Sequence, residues 1–318
     1  MSLLRDTRDD YIALIGAASD AFGFPQEFIE KDYWVTEVLR SIAKPFDGAR
    51  VVFKGGTSLS KAFCLIARMS EDVDILLVLG PKTSTNSRDK ILKGLAARVL
   101  SDLPLSGELS TSTTGIKRNT IFKYPTLAEI ALVSEGVLLE MGIRGGAHPV
   151  ETMDLRSYIA QHALASGASQ ADYEELEPVR IDVLGPERTL VEKLAALHHL
   201  STNVGSDSGS KYLALGARHY YDVAKLLADQ NVRDRLVAIG DLAAFVDSIN
   251  EESQKWRLPF SPRPPGGFGD SPAFGNDPTI MSIVEPAYLR AMEFVPAKHD
   301  RPSLTDCLGV VARYRDLI

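Results

Sequence analysis

The sequence has only two cysteines, Cys64 and Cys307, and neither sits at metal-ligand spacing from a partner. A disulfide framework and a cysteine-based zinc site are therefore excluded as organising principles. No apolar run comes near the ~20 residues that a membrane helix requires. The opening MSLLRDTRDD carries acids where a secretory leader would be basic and then apolar, so a cytoplasmic setting is expected, with no membrane partner. A surplus of positive charge is also missing. The net charge of −7 argues against broad, nonspecific nucleic-acid binding and leaves open a local basic face. There is no GxxxxGK[ST] phosphate loop, no internal repeat and no arguable Ser/His/Asp triad. His198 and His199 are adjacent, diverge on a helix and have no partners at metal spacing. What the chain does have is 318 residues that are 45% apolar, enough for a proper core and two lobes.

The informative stretch runs from Val51 to Gly80. Val51-Val52-Phe53 is a short buried strand that stops at Gly55-Gly56, read as a tight turn. Thr57 and Ser58 then offer a hydroxyl cap to a helix expected over Leu59 to Ala67. Asp72 to Val78 reads as a second strand. Residues i and i+2 of a strand share a face, ~6–7 Å apart. Asp72 and Asp74 thus project together while Val73, Ile75 and Leu77 turn to the core. Two carboxylates that close repel unless a cation lies between them. A hard Mg²⁺ ion, or Mn²⁺, held by the acids and by substrate phosphates, answers that need. Glycines and a helix start beside them form a cradle for phosphate. The combination belongs to phosphoryl or nucleotidyl transfer.

Along the chain, helices are expected at Leu3 to Phe22 and Gln26 to Ile42. The Lys31-Asp32 pair on the second is either a contact to the sheet or a solvated charge pair. A polar loop, Pro81 to Arg88, leads to a helix from Asp89 to Leu103. Strands follow at Lys117 to Lys123, Ala128 to Val133 and Val137 to Ile143. Glu140 is an acid within an apolar strand. It is either a third site carboxylate or a paired structural acid. Asp154 to Ala165 reads as a helix and Val179 to Leu184 as a strand. Pro186 opens the helix Glu187 to Leu200, on which Thr189, Lys193 and Leu197 share one face. Lys193 either snorkels or serves a site. Asn203 to Ser210 is a Gly/Ser-rich loop, a gate or plain surface. Arg218, His219, Tyr221 and Asp222 begin a helix, and Arg218 and Asp222 are placed for an i,i+4 ion pair. Leu258 to Pro278 is too rich in Pro and Gly for a helix and is either functional or tightly packed. Helices at Ile280 to Phe294 and Leu304 to Ile318 close the chain.

A GGTS segment, a helix and a D-x-D strand resemble the DNA polymerase β-like nucleotidyltransferase superfamily. EKDYWV from Glu30, FKGGTSLSKAF, RMSEDVDILL, RTLVEKLAALHH from Arg188 and RHYYDVAKLL from Arg218 together resemble the AbiEii/AbiGii toxin family over roughly residues 25–230. The resemblance implies an α+β fold, a mixed sheet flanked by helices. It implies a nucleotidyltransferase lobe over 1–184, and a mostly helical C-terminal lobe over 185–318 that contributes to the active-site cleft. It also implies a catalytic set of Asp72, Asp74, Lys193 and Asp222. Lys193 would contact the triphosphate, and Asp222 would lie in the active site against it. Gly55, Gly56, Thr57 and Ser58 would bind phosphate, with Lys61 and Arg68 as further cations. Asp72, Asp74 and Glu140 would hold Mg²⁺ or Mn²⁺. The implied role is a toxin of a toxin–antitoxin or abortive-infection system. It would move NMP from an NTP to an acceptor, most readily a tRNA 3′ end, and be countered by a cognate antitoxin. A nucleotide-binding regulator without transfer activity, and transfer to a protein hydroxyl, remain as alternatives.

Overall fold

A computed structural model describes residues 2–127, 134–206, 208–255 and 259–318. The strand expected from Ala128 to Val133 lies outside the described residues. The chain divides into two compact units. The first comprises Met1–Ala62, Met69–Ile143 and Val150–Leu184, and the second Phe63–Arg68, Arg144–Pro149 and Gly185–Ile318. No helix of the described residues is long and apolar enough to cross a membrane.

The first unit holds α1 (Arg8–Phe22), α2 (Gln26–Ala43), β1 (Ala49–Lys54), α3 (Gly55–Lys61), β2 (Asp72–Leu79), α4 (Thr85–Asp102), β3 (Ser106–Thr113), β4 (Lys117–Lys123), β5 (Val137–Gly142), β6 (Val150–Leu155), α5 (Tyr158–Ala165) and β7 (Val179–Leu184). Its strands form one sheet in the order β3-β4-β5-β2-β1-β7-β6. β2 pairs antiparallel with β1 and parallel with β5, and β7 joins β1 in parallel, so the sheet is mixed, as expected. Helix α2 packs on β7, β5 and β2. Fourteen of its 18 residues are buried, so it is enclosed on all sides. Its charged residues Glu30, Lys31, Asp32 and Glu37 must therefore find partners inside the protein.

Several boundaries differ from the sequence reading, each for a local reason. Helix α4 starts at Thr85, because Ser84 caps it by accepting from the Ser87 N–H. The helix read from Asp154 is two elements: β6 ends at Leu155, and Ser157 caps α5 through the Ala160 N–H. Strand β3 had no sequence signal, since every residue of SGELSTST is exposed and nothing alternates. Helix α3 begins at Gly55 itself and ends at Lys61, with no side-chain cap. The glycine pair is thus the first turn of a helix rather than a turn before one.

The second unit holds α6 (Pro186–Thr202), α7 (Gly209–Gly216), α8 (Arg218–Ala228), α9 (Gln230–Ala238), α10 (Leu242–Lys255), α11 (Pro278–Met292) and α12 (Leu304–Arg313). Helix α7 takes over the end of the expected loop at Asn203 to Ser210. Of the Pro/Gly-rich stretch, residues 267–273 are anchored by buried Gly267, Phe268, Ser271 and Ala273, while Pro259, Pro265, Gly266 and Gly275 to Pro278 are exposed. Phe268 is buried, and Tyr220 on α8 donates to the Ala273 carbonyl at 2.8 Å. His198 on α6 lies 3.0 Å from both the Pro262 carbonyl and Ser271 Oγ. Nε2 must donate to that carbonyl, so Nδ1 accepts from the serine. His198 is a packing histidine.

Candidate active site

In the first unit the site residues sit on β2 and its neighbours. Asp72 and Asp74 are half-buried, while Val73 and Ile75 between and beyond them are buried. The expected alternation is therefore present. Cross-strand register extends it into a polar row. Asp74 is the Cα partner of Lys54 on β1 and of Glu140 on β5, and Glu140 is the partner of Asn119 on β4. Directly opposed residues share a sheet face.

Gly55 follows this row. Its φ is +80°, and a Cβ there would collide with Asp74 Oδ2. Two constraints thus demand glycine: the left-handed backbone and the carboxylate lying against it. Thr57 and Ser58 are buried. The Thr57 hydroxyl bonds the Asp72 carbonyl and shares a 2.9 Å bond with Ser70 Oγ. Ser58 Oγ donates to the Gly55 carbonyl at 2.9 Å. Both hydroxyls are engaged within the protein. The groups left to offer a phosphate are the backbone N–H groups of the first turn of α3.

The structure gives Lys61 another role than phosphate binding. Its side chain is 5% exposed and its ammonium lies 2.5 Å from Asp32 Oδ1. Asp32 Oδ2 also accepts from the Tyr158 N–H at 2.8 Å. Neighbouring Lys31 lies 3.0 Å from Glu71 Oε2 and 2.7 Å from the Ser134 carbonyl. The Lys31-Asp32 pair is thus neither solvated nor a pair. Each residue reaches a different partner, one at the end of α3 and one just before Asp72.

Glu140 Oε1 accepts from Asn119 Nδ2 at 2.6 Å, and Oε2 lies 3.8 Å from Lys117 Nζ. Among the described residues no group of three or more His, Cys, Asp or Glu side chains is arranged to hold a metal. Glu140 is thus engaged by its neighbours on β4. Asp72 and Asp74 remain the fitting donor set. They are two hard oxygen ligands on one face, with the Gly55 backbone lying directly against the Asp74 carboxylate. This suits a cation that completes its shell with water and phosphate oxygens.

In the second unit Asp222 is fully buried on α8. Arg68 grips it with two 2.7 Å bonds, and Lys193 Nζ on α6 lies 2.8 Å from Oδ2. Two cations sharing one carboxylate hold its pKa well below the usual range, against a burial effect that acts the other way. The expected i,i+4 partner, Arg218, is exposed. Arg68 is 4% exposed and its guanidinium is committed to Asp222, so it is an internal clamp rather than an open phosphate contact. Burial lowers the Lys193 pKa, with Asp222 opposing. The expected contact of Asp222 with Lys193 is present. Sequence reasoning did not place His219 beside Lys193. Its Nδ1 lies 3.1 Å from Lys193 Nζ. The available signal was its i,i+3 spacing from Asp222 on one helix face.

The family model described as nucleotidyl transferase AbiEii toxin of a type IV toxin–antitoxin system matches residues 37–303. No curated protein matches the sequence. Among solved structures, MenT4, a nucleotidyltransferase toxin from Mycobacterium tuberculosis H37Rv, is similar with a TM-score of 0.50 at 16% identity, covering 96% of each chain. The JHP933 protein from Helicobacter pylori has a TM-score of 0.38 at 14% identity, covering 85% of this chain and 95% of that one. At such identities the likeness to MenT4 speaks for the fold alone.

Proposed function

The chain belongs to the AbiEii family of nucleotidyltransferase toxins, and on that premise we propose that it is a metal-dependent enzyme that transfers NMP from an NTP to the 3′ end of a tRNA. The family implies an NTP substrate and a cognate antitoxin. One observation carries the chemical reading: Asp72 and Asp74 share a face of β2, with a glycine held against the Asp74 carboxylate. Mg²⁺ or Mn²⁺ bound to these acids would lower the barrier by neutralising triphosphate charge and acidifying the acceptor hydroxyl. Gly55 and Gly56 supply backbone N–H groups to the phosphates. Lys193 is the cationic contact to the triphosphate, and Asp222 fixes its direction through a charge-assisted hydrogen bond. The acceptor hydroxyl attacks the α-phosphorus, a new phosphodiester forms and pyrophosphate leaves. The reaction is set in the cytoplasm.

The experiment is incubation with each labelled NTP, total RNA and cell protein, with Asp74→Asn as control. Label in small RNA that depends on Mg²⁺ and on Asp74 is the expected result. Label in protein alone would redirect the reading to protein nucleotidylylation. Tight NTP binding with no labelled product would leave a nucleotide-binding regulator.

A further inference from the structure

The first turn of α3 meets β2 at two points, one for each carboxylate. Gly55 lies against the Asp74 side chain. Two residues on, the Thr57 hydroxyl reaches the Asp72 carbonyl. The sheet explains why that carbonyl needs a partner. β1 and β2 pair as far as Lys54 and Asp74, and there their register ends. The residue that would stand opposite Asp72 is Gly56, and it is already part of α3. On its other side Asp72 is paired with Leu138 of β5. The first residue of β2 therefore has a strand on one side only, and it carries one of the two site acids. Thr57 stands in for the strand that has turned away.

The direction of each bond follows from the chemistry. A carbonyl only accepts, and a hydroxyl has one proton to give. Thr57 thus donates to Asp72, and Ser70 Oγ, 2.9 Å away, donates to Thr57. The threonine is 1% exposed. With its proton spent on Asp72, it has no donor left for a phosphate oxygen. We propose that Thr57 is a positioning residue for Asp72 rather than a phosphate ligand. Its hydroxyl holds the start of β2 in strand geometry, so that Asp72 keeps the face it shares with Asp74. The Ser70–Thr57–Asp72 chain and the Gly55–Asp74 contact together register both carboxylates to one turn of α3. This rests on the metal-dependent reading for the work of the two acids, though not for the hydrogen bonds.

The test separates holding an acid from holding a phosphate. Thr57→Val keeps the buried shape and removes the hydroxyl; Thr57→Ser keeps the hydroxyl and removes the methyl. Mn²⁺ is titrated into the full chain without NTP or acceptor and followed by electron paramagnetic resonance, with Asp72→Ala as control. The expected result is at least about tenfold weaker binding in Thr57→Val, the scale of losing a group that orients a metal ligand, and near wild-type affinity in Thr57→Ser. Inorganic tripolyphosphate, titrated into the metal-free protein, should bind Thr57→Val as it binds the wild type. Unchanged Mn²⁺ affinity in Thr57→Val, equal loss in both variants, or a loss of tripolyphosphate affinity with Mn²⁺ affinity intact overturns the proposal. Proton NMR of the wild type is independent of either variant's folding. A slowly exchanging Thr57 hydroxyl proton is expected, and it should persist when tripolyphosphate is added. Rapid exchange of that proton, or its loss on adding tripolyphosphate, overturns the proposal equally. The two levels of failure are distinct. A wild type that binds no Mn²⁺ through Asp72 sinks the metal-dependent reading and this proposal together, whereas wild-type binding that Thr57→Val leaves untouched sinks this proposal alone.

Discussion

Lys31 on α2 and Lys193 on α6 are both buried, at 0% and 6% exposure, yet their ammonium groups end differently. Lys31 has three partners for three protons: Glu71 Oε2 at 3.0 Å, the Ser134 carbonyl at 2.7 Å and Ser134 Oγ at 3.0 Å. Lys193 has Asp222 at 2.8 Å and His219 at 3.1 Å. The first lysine is closed upon the protein and joins α2 to the residue before the Asp72 strand. The second keeps a donor in hand. Similar burial therefore leaves one ammonium with all three positions filled and the other with two. The acids differ in burial instead: Asp32 is buried against Lys61 and the Tyr158 N–H, whereas Asp72 and Asp74 stand half-buried on one strand face.

The largest effect sets the scale for a working group. Asp74→Ala, or Asp72→Ala, is expected to abolish transfer, costing several kcal/mol of transition-state stabilisation. The melting temperature should hold or rise, since one of two mutually repelling acids is gone. Radiolabel transfer and thermal melting on the same preparation check this. Wild-type turnover in either variant would remove the carboxylates from the working class.

Next in size is the structural lysine. Lys31→Met leaves Glu71 without its cation, a loss of ~3–5 kcal/mol for breaking a buried pair. Glu71 is partly accessible, so the lower end applies. Turnover per folded molecule should stay near wild type. A stable Lys31→Met protein with crippled turnover would break the contrast between the two lysines.

Lys193→Met is the mirror case. Its rate is expected to fall ~100-fold, the cost of one preorganised charged group. The methionine fills the same buried space, and Arg68 still neutralises Asp222 through both oxygens. The melting temperature should therefore change little. Asp222 offers no such clean separation. Its removal would strand Arg68 and Lys193, so stability and rate should fall together.

The legible parts of this molecule are those set by local spacing. The period of two in Asp72-Val73-Asp74 fixed which acids project together. The apolar pattern of Phe28, Tyr33, Trp34, Val38 and Leu39 marked α2. Pro186 marked the start of α6. What stayed hidden depends on partners far along the chain. Lys61 meets Asp32 across 29 residues and Arg68 meets Asp222 across 154. Spacing shows which face a charge occupies, but not what waits there. Both cations consequently read as phosphate contacts. The two readings of Glu140 stayed open for the same reason, its partners Asn119 and Lys117 being on the neighbouring strand. Strand β3 was invisible because its polar residues are all exposed and its only cue is pairing with β4.

The smallest effect concerns the proton on His219, and it sharpens what keeps Lys193 oriented. The folded state lowers this pKa from 6.5 to about 4, through burial first and the Lys193 charge second. Between those values the unfolded chain binds a proton that the folded chain refuses. Stability from this group is therefore complete above about pH 6.5 and is lost as the pH falls toward 4. The lowered carboxylates of Glu71 and Asp222 act in the same direction but further down, as pH falls below their ordinary values of 4.5 and 3.8. His198 and His199 are also lowered by burial, and they share the upper window. The informative quantity is thus a difference. Melting temperatures of the wild type and of His219→Asn are compared from pH 7 to pH 5, where the carboxylates contribute least. The wild type should lose more over that interval, because asparagine has no proton to take up. Equal slopes would mean that the fold does not hold His219 neutral. Nδ1 would then be free to carry a proton, and the bond that orients Lys193 would lose its acceptor.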